Sequence, residues 1–323
     1  MTSPTSNPPT PKATMRAWGI NGYGQPMELM DLPIPTPGPS DVLIAMQGAE
    51  VGDWDELVRR GKWRVEGAFP LALGLAGSGI VVAVGVDVRG YAEGDSVYAC
   101  NYPLYENGAW AEYMLVPLPF VAAPPTGLDL KRAGALPIAA LTAHETLVDL
   151  LQVQRNDVVL ITAAAGGVGH LAVQIARYLG ARVIGTASLR NHDFVRALGA
   201  ETVIDYTTED VVNAIRAKYP GGVDKALNGV SGEHANEIVD AMRIGGHIVD
   251  LPRAISVKRP GVEVDSDFMV HGDGARLRLL SRMIDDLPIR VEIHDIVPFD
   301  RAPDALNEVL GKHVRGKVAL GII

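Results

Sequence analysis

From residue 15 to about 121 the apolar positions come in short runs, at 15–20, 42–46, 79–84, 97–100 and 113–116. Turn signals stand between them: Pro37-Gly38, Gly85, Gly90 and Gly94-Asp95. Short runs at this spacing predict an antiparallel, barrel-like β region. The texture changes after Pro124-Pro125. Residues 158–163 form a continuous apolar run, the mark of a strand covered on both faces. Val168, Leu171, Ala172, Ile175 and Leu179 then recur at helical spacing, and Gly180 supplies a stop. Strands follow at 182–187, 202–206, 223–227 and 247–251, with helices around 194–198, 211–219 and 234–242. This alternation predicts a parallel sheet with helices on both faces. Beyond Pro260 the pattern predicts a helix over 275–287, a strand over 291–297, a helix over 302–313 and a last strand over 317–323. Residues 1–14, rich in proline and small polar residues, read as a disordered tail without the apolar segment of a secretory signal.

One loop carries chemistry. Ala163-Ala164-Ala165-Gly166-Gly167-Val168-Gly169 joins the apolar strand to the amphipathic helix, the context a dinucleotide fingerprint requires. Gly166 and Gly167 let the backbone approach a pyrophosphate, and Gly169 lets the helix pack closely on the strand. Free N–H groups at the helix start then face the anion. Ala165, Gly166, Gly167, Val168 and Gly169 are therefore expected to bind the cofactor. At the end of the second strand an NAD-binding protein usually places an acid on the ribose. Here the stretch is Ser188-Leu189-Arg190-Asn191, and no acid comes before Asp193. Ser and Arg can donate to a 2′-phosphate that an acid would repel. The expected cofactor is NADPH, with Ser188, Arg190 and Asn191 around its phosphate.

Composition narrows the field. The chain has 323 residues, enough for about two domains, and a net charge of −9. That charge opposes a nucleic-acid footprint. No apolar stretch reaches the roughly 18 residues of a membrane span, so a soluble protein is expected. Cys100 is the single cysteine, which rules out an intrachain disulfide and fits a cytoplasmic setting. All 8 histidines lie at or beyond His144. A catalytic zinc needs about three N, S or carboxylate ligands. Cys100 reads as a packing thiol, and a carboxylate site from Glu50, Asp53 and Asp55 is a remote alternative.

Five stretches together resemble the medium-chain dehydrogenase/reductase superfamily, most closely its zinc-independent quinone oxidoreductase (zeta-crystallin-like) branch. They are Met15-Arg16-Ala17 with Pro37-Gly38-Pro39 and Asp41-Val42-Leu43; Val51-Gly52-Asp53-Trp54-Asp55 running to Arg59-Arg60-Gly61; Leu73-Gly74 through Gly79-Ile80-Val81, Val84-Gly85 and Gly94-Asp95-Ser96-Val97; Leu141-Thr142-Ala143 with the glycine loop; and Arg315-Gly316-Lys317-Val318. The resemblance implies an α/β fold: a Rossmann doubly wound parallel sheet plus a GroES-like β-rich substrate domain. It implies a substrate domain of residues 15–125 and 288–323, a Rossmann domain of 126–287, an active site in the cleft between them, and a homodimer. It also implies that Thr142 lies by the nicotinamide, that Tyr206 approaches the 2′-phosphate, and that Lys317 joins the cofactor set.

The chain departs from its relatives in three places. Gly74-Leu75-Ala76 stands where zinc enzymes have Gly-His-Glu, and Ala76 stands where many quinone reductases have an acid. Gly52 replaces a common Asn, and Trp63 occupies the place of the proton-donating Tyr of enoyl-thioester reductases. Asp53, Tyr102 and His144 remain as candidate catalytic groups, with Tyr105 in the same loop as Tyr102. Trp54, Trp63 and Trp110 either line the cleft or pack in the core. The expected activity is zinc-free, NADPH-dependent hydride transfer to a quinone or α,β-unsaturated carbonyl compound. The alternatives are a dedicated enoyl or enone reductase of a biosynthetic pathway, and a non-catalytic NADPH-binding protein.

Overall fold

A computed structural model describes residues 14–65 and 69–322. The expected tail at 1–13 lies outside the described residues, and Thr14 already belongs to the first strand. In chain order the first part comprises β1 (Thr14–Ile20), β2 (Glu28–Pro33), β3 (Asp41–Val51), α1 (Asp53–Arg59), β4 (Leu71–Ala72), β5 (Ala76–Val84), β6 (Ser96–Cys100), β7 (Tyr113–Pro117) and β8 (Val121–Ala122). Two helices follow, α2 (Leu130–Ala133) and α3 (Pro137–Glu145). The alternating part runs β9 (Val158–Ile161), α4 (Gly169–Tyr178), β10 (Arg182–Thr186), α5 (His192–Leu198), β11 (Thr202–Ile204), α6 (Val211–Lys218), β12 (Val223–Asn228), α7 (Glu233–Ala241), β13 (Met242–Asp250) and β14 (Val262–Asp265). It closes with α8 (Gly274–Asp286), β15 (Ile293–Pro298), α9 (Ala302–Leu310) and β16 (Lys317–Gly321).

The strands from β9 to β14 form one sheet of six in the order β11-β10-β9-β12-β13-β14, every pair parallel. This is the doubly wound order that puts a ligand crevice at the carboxyl ends of the first and fourth strands. The apolar run of β9 follows from its place at the centre. Val159 and Ile161 face a core shared with Leu171, Ala172 and Ile175 of α4. Leu160 faces the opposite core, with Ile215 of α6 and Ile238 of α7. Two covered faces leave no polar position on the strand.

The second large sheet has the order β15-β16-β3-β5-β6-β8, with β7 also paired to β3. The long strand β3 therefore bonds three neighbours, β5, β7 and β16. Antiparallel pairing sets Ala319 of β16 opposite Glu50 and Val318 opposite Val51. A small sheet, β2-β1-β4, covers one end. One core cluster runs through both units and includes Leu71, Met114, Leu136, Leu141, Leu147 and Leu171.

Several boundaries differ from the expected ones. The strand expected to reach residue 163 stops at Ile161, and Ala163 is left-handed at φ +48°, which starts the glycine loop. β13 begins at Met242 rather than at 247, and the short strand β14 was not expected. Helix α1 was not among the expected elements: its seven residues hold a single apolar triplet, Trp54, Leu57 and Val58, too short to establish a helical period. Among the described residues, no helix is long and apolar enough to cross a membrane.

Candidate active site

The glycine loop lies between β9 and α4, at the crevice. A Cβ on Gly169 would overlap the carbonyl oxygen of Ala163, so α4 can start this close to the strand only with glycine there. Gly166 N–H donates to the Ala163 carbonyl at 2.9 Å and tightens the turn. His170, in the first turn of α4, holds the loop from behind. Its Nδ1–H donates to the Gly166 carbonyl at 2.9 Å, and its Nε2 accepts from the Glu292 N–H at 3.3 Å. These partners assign the neutral tautomer, and burial drives its pKa down to about 4. Three side chains brace the crevice floor. Thr162 Oγ1 donates to Asn228 Oδ1 at 2.9 Å, and Asn228 Nδ2 donates to Asp250 Oδ1 at 2.8 Å. The carboxyl ends of β9, β12 and β13 are thereby tied together.

At the far end of the crevice, Ser188 opens a single 3₁₀ turn over Leu189–Asn191. Ser188 and Asn191 are half-buried, and Arg190 is exposed with its Nη2 donating to the His313 carbonyl at 3.1 Å. Asp205, just past β11, accepts from the Thr207 hydroxyl at 2.6 Å, and hydrogen bonds from Thr207 and Leu189 hold its carboxylate below the usual range. Tyr206 lies two residues beyond the strand it was expected to end, and is 53% exposed.

Where the two units meet, Lys317 is nearly buried. Its ammonium donates to Glu50 Oε1 at 2.9 Å and to the Val51 carbonyl at 3.1 Å, and lies 4.7 Å from the centre of the Trp54 ring. Its stem lies along the glycine loop: a Cβ on Gly167 would come within 2.7 Å of Lys317 Cδ. The Gly316 N–H donates to the Ala165 carbonyl at 2.8 Å. Thr142 is buried on α3, whose first turn donates to Glu50 from Ile138 and Ala139. The Thr146 hydroxyl donates to the Thr142 carbonyl at 2.7 Å.

The candidate catalytic groups fall in separate places. Asp53 is exposed at the start of α1. The Tyr102 oxygen accepts from Trp63 Nε1–H at 2.8 Å, with the two rings edge to face, and His271 lies 5.7 Å from the Tyr102 ring. His144 Nδ1 accepts from the Arg276 guanidinium at 3.1 Å; burial and that cation hold its pKa below the ordinary value. The Tyr105 hydroxyl donates to Asp41, at the opposite end of β3 from Gly52. Trp110 does not line a cleft: it is fully buried and its Nε1–H donates to the Glu50 carbonyl at 3.0 Å.

Family models match both parts of the chain: an alcohol dehydrogenase GroES-like domain over residues 38–126 and a zinc-binding dehydrogenase over 167–251. An Arabidopsis thaliana protein described as a chloroplastic NADPH-dependent alkenal/one oxidoreductase is 30% identical across 95% of this chain and 79% of its own length. A chloroplastic quinone-oxidoreductase homolog of Spinacia oleracea is 27% identical across 95% of this chain and 98% of its own. The solved quinone oxidoreductase of Coxiella burnetii superposes with a TM-score of 0.85 at 30% identity, covering 96% of this chain and 100% of that one. The chain belongs to the medium-chain dehydrogenase/reductase superfamily. Within it, this is a zinc-independent oxidoreductase of the quinone oxidoreductase branch, built from an NAD(P)H-binding Rossmann unit and a GroES-like β-rich unit.

The zinc of other medium-chain dehydrogenases does not fit the side chains present. Leu75 and Ala76 are buried where ligands would stand, and among the described residues no three His, Cys, Asp or Glu side chains converge on a point. Cys100 is fully buried on β6, and burial pushes its thiol well up, away from the thiolate a metal needs. The departure at Gly52 has a steric cause. A Cβ there would overlap Cε2, Cζ2 and Cη2 of Trp54, so the indole fills the space over that residue. Beneath it, Asp55 is fully buried: Oδ2 accepts from the Gly52 N–H at 2.9 Å, while Oδ1 has no partner. Burial pushes the Asp55 carboxyl up to about 8. His170 and Asn228 were missed as site residues, and Glu50 and Asp55 were weighed only as members of a remote carboxylate metal site. Glu50 left a signal, an acid inside an apolar strand.

Proposed function

We propose that this protein reduces quinones or α,β-unsaturated carbonyl compounds with NADPH, without a metal. The observation that carries this reading is the chemistry at the junction. Apart from the Glu50–Lys317 ion pair, the buried titratable groups there are held neutral, with Asp55 protonated up to about pH 8 and His144 deprotonated by burial beside Arg276. Such a site offers little acid–base force, which suits an acceptor that is already polarised. The activities named for the Arabidopsis and spinach relatives point the same way.

When bound, the cofactor supplies the hydride. The chain supplies the rest. Backbone N–H groups of Gly167, Val168 and Gly169 receive the pyrophosphate, with Ala165 and Gly166 shaping the turn beside them and the Lys317 stem lying along Gly167. Ser188, Arg190 and Asn191, with Tyr206 nearby, take the 2′-phosphate, an arrangement that favours NADPH over NADH. Thr142 borders the nicotinamide. Of the three candidate donors, Tyr102 is the one we favour for the proton. Its oxygen accepts the Trp63 N–H at 2.8 Å, which orients the phenol and leaves its O–H to donate. His144 is tied up by Arg276, and Asp53 is open to water.

The reading extends to a cytoplasmic homodimer, supported by the single cysteine and by β14 standing at the edge of the Rossmann sheet. Substrate domain 15–125 with 288–323 and cofactor domain 126–287 are the units we assign. The experiment is NADPH oxidation by the purified protein against a panel of neutral quinones, enones and saturated ketones, repeated with NADH. Turnover with quinones or enones, and preference for NADPH, is expected. Activity confined to saturated ketones, or none with any acceptor, would overturn the reading.

A further inference from the structure

Glu50 is buried to zero exposure next to the end of β3, among apolar neighbours. A carboxylate in such a place is costly unless it is paired and hydrogen-bonded. Three donors meet it. Lys317 Nζ lies 2.9 Å from Oε1, the Ala139 N–H donates to Oε1 at 3.1 Å, and the Ile138 N–H donates to Oε2 at 2.8 Å. Ile138 and Ala139 belong to the first turn of α3, where N–H groups find no partner inside the helix. The carboxylate therefore caps the helix that carries Thr142. Through Lys317 it also holds β16 and the stem that touches Gly167. One side chain joins the helix beside the expected nicotinamide place to the lysine beside the expected pyrophosphate place.

Stability alone gives a weak reason for such an arrangement. Replacing a buried ion pair by apolar side chains of similar volume is often neutral or stabilising. Apolar contacts, however, do not fix the direction and register of a helix as hydrogen bonds do. We propose that Glu50 is a positioning residue for hydride transfer: it locks the Thr142 helix and Lys317 into one frame, and so sets the nicotinamide half of the cofactor against the pyrophosphate loop. The proposal rests on the cofactor placement given under Proposed function. Misplacement by about 1 Å costs a transfer reaction roughly 10²-fold.

Two double variants separate positioning from folding and from the charge of Lys317. Glu50→Leu/Lys317→Met removes both charges and the cap of α3. Glu50→Gln/Lys317→Met removes both charges but keeps an oxygen to accept from α3. Both discard the ion pair together, so both are expected to fold. With a neutral quinone, the Leu/Met variant is expected to show kcat at least tenfold below that of the Gln/Met variant. It should also show a larger primary isotope effect with 4-deuterated NADPH, because hydride transfer becomes the slow step. Equal kcat and equal isotope effects in the two doubles would overturn the proposal. If the Leu/Met variant does not fold, Glu50→Met/Lys317→Met takes its place beside the Gln/Met variant with the same expectations, and equal isotope effects in those two overturn the proposal. If wild type turns over no acceptor, the functional reading fails separately. The positioning claim is then read from the fluorescence of bound NADPH, which should shift further toward free NADPH in Leu/Met than in Gln/Met; identical spectra in the two doubles would overturn it.

Discussion

Gly52→Ala tests whether the indole of Trp54 shapes the junction. The backbone at Gly52 is extended, with φ −142°, so alanine meets no conformational strain. The obstacle is the ring, since the added methyl would overlap three indole carbons. Ordinary carbon contacts lie near 3.5–4.0 Å, so the ring must shift by roughly 1 Å or more. Overpacking of this kind costs about 1–3 kcal/mol. The shift also disturbs the Lys317–Trp54 contact, 4.7 Å from ammonium to ring centre, worth about 1 kcal/mol. Together the expected loss is about 2–4 kcal/mol, seen as a fall in Tm of several degrees. In a Trp54→Ala background the methyl enters the space left by the ring, and Gly52→Ala should cost only a few tenths of a kcal/mol. The assay is a double-mutant cycle by thermal and urea unfolding, with an expected coupling of about 2–3 kcal/mol. Equal costs in the two backgrounds would refute the claim that Trp54 occupies the space over Gly52.

Three further outcomes are expected. Asp55→Asn should flatten the pH dependence of stability. A carboxyl raised to about 8 in the folded protein, against about 3.9 unfolded, contributes stability present below pH 4 and lost as pH rises through 8. The difference between wild type and variant in urea unfolding should therefore grow in favour of the variant from pH 4 to 8, and parallel curves would remove the argument. His170→Gln acts in the opposite direction. A histidine lowered to about 4 contributes roughly 3 kcal/mol above pH 6.5 that disappears as pH falls toward 4, so wild type should lose this increment on acidification and the variant should not. Arg190→Ala should narrow the ratio of NADPH to NADH affinity at least several-fold by direct titration, and an unchanged ratio would place Arg190 outside the phosphate site.

Much of the Rossmann unit was legible because its signals are local. The run at β9, the glycine loop and the stripe of α4 lie within about twenty consecutive residues, and each follows from burial on known faces. Glycine 199 marked the end of α5 for the same reason: its φ of +113° suits no other residue well. The junction was far less legible. Glu50 and Lys317 lie at opposite ends of the described chain, and nothing near either residue announces the other. Trp54 and Gly52 looked like a lost functional side chain, whereas the structure shows an exchange of volume between neighbours two positions apart. Helix α1 escaped notice because its apolar positions, Trp54, Leu57 and Val58, span only one turn, and because Asp55 and Glu56 are buried beside Val58. Trp63 looked like a poor substitute for an acid, yet it serves the Tyr102 oxygen.

The pairing of β16 with β3 also orders events in time. A ribosome delivers the chain from its amino end, at roughly 5–20 residues per second, and units fold as they emerge. β3 and the whole Rossmann sheet are made before β16, and the lysine ammonium closes on the Val51 carbonyl across 266 positions of sequence. While β16 is still being synthesised, the nascent chain has its glycine loop but an unpaired strand edge at β3 and a buried-site carboxylate without its cation. Such an edge is a template for wrong partners. Cofactor capture and protection from misassembly should therefore arrive together, with one five-residue strand.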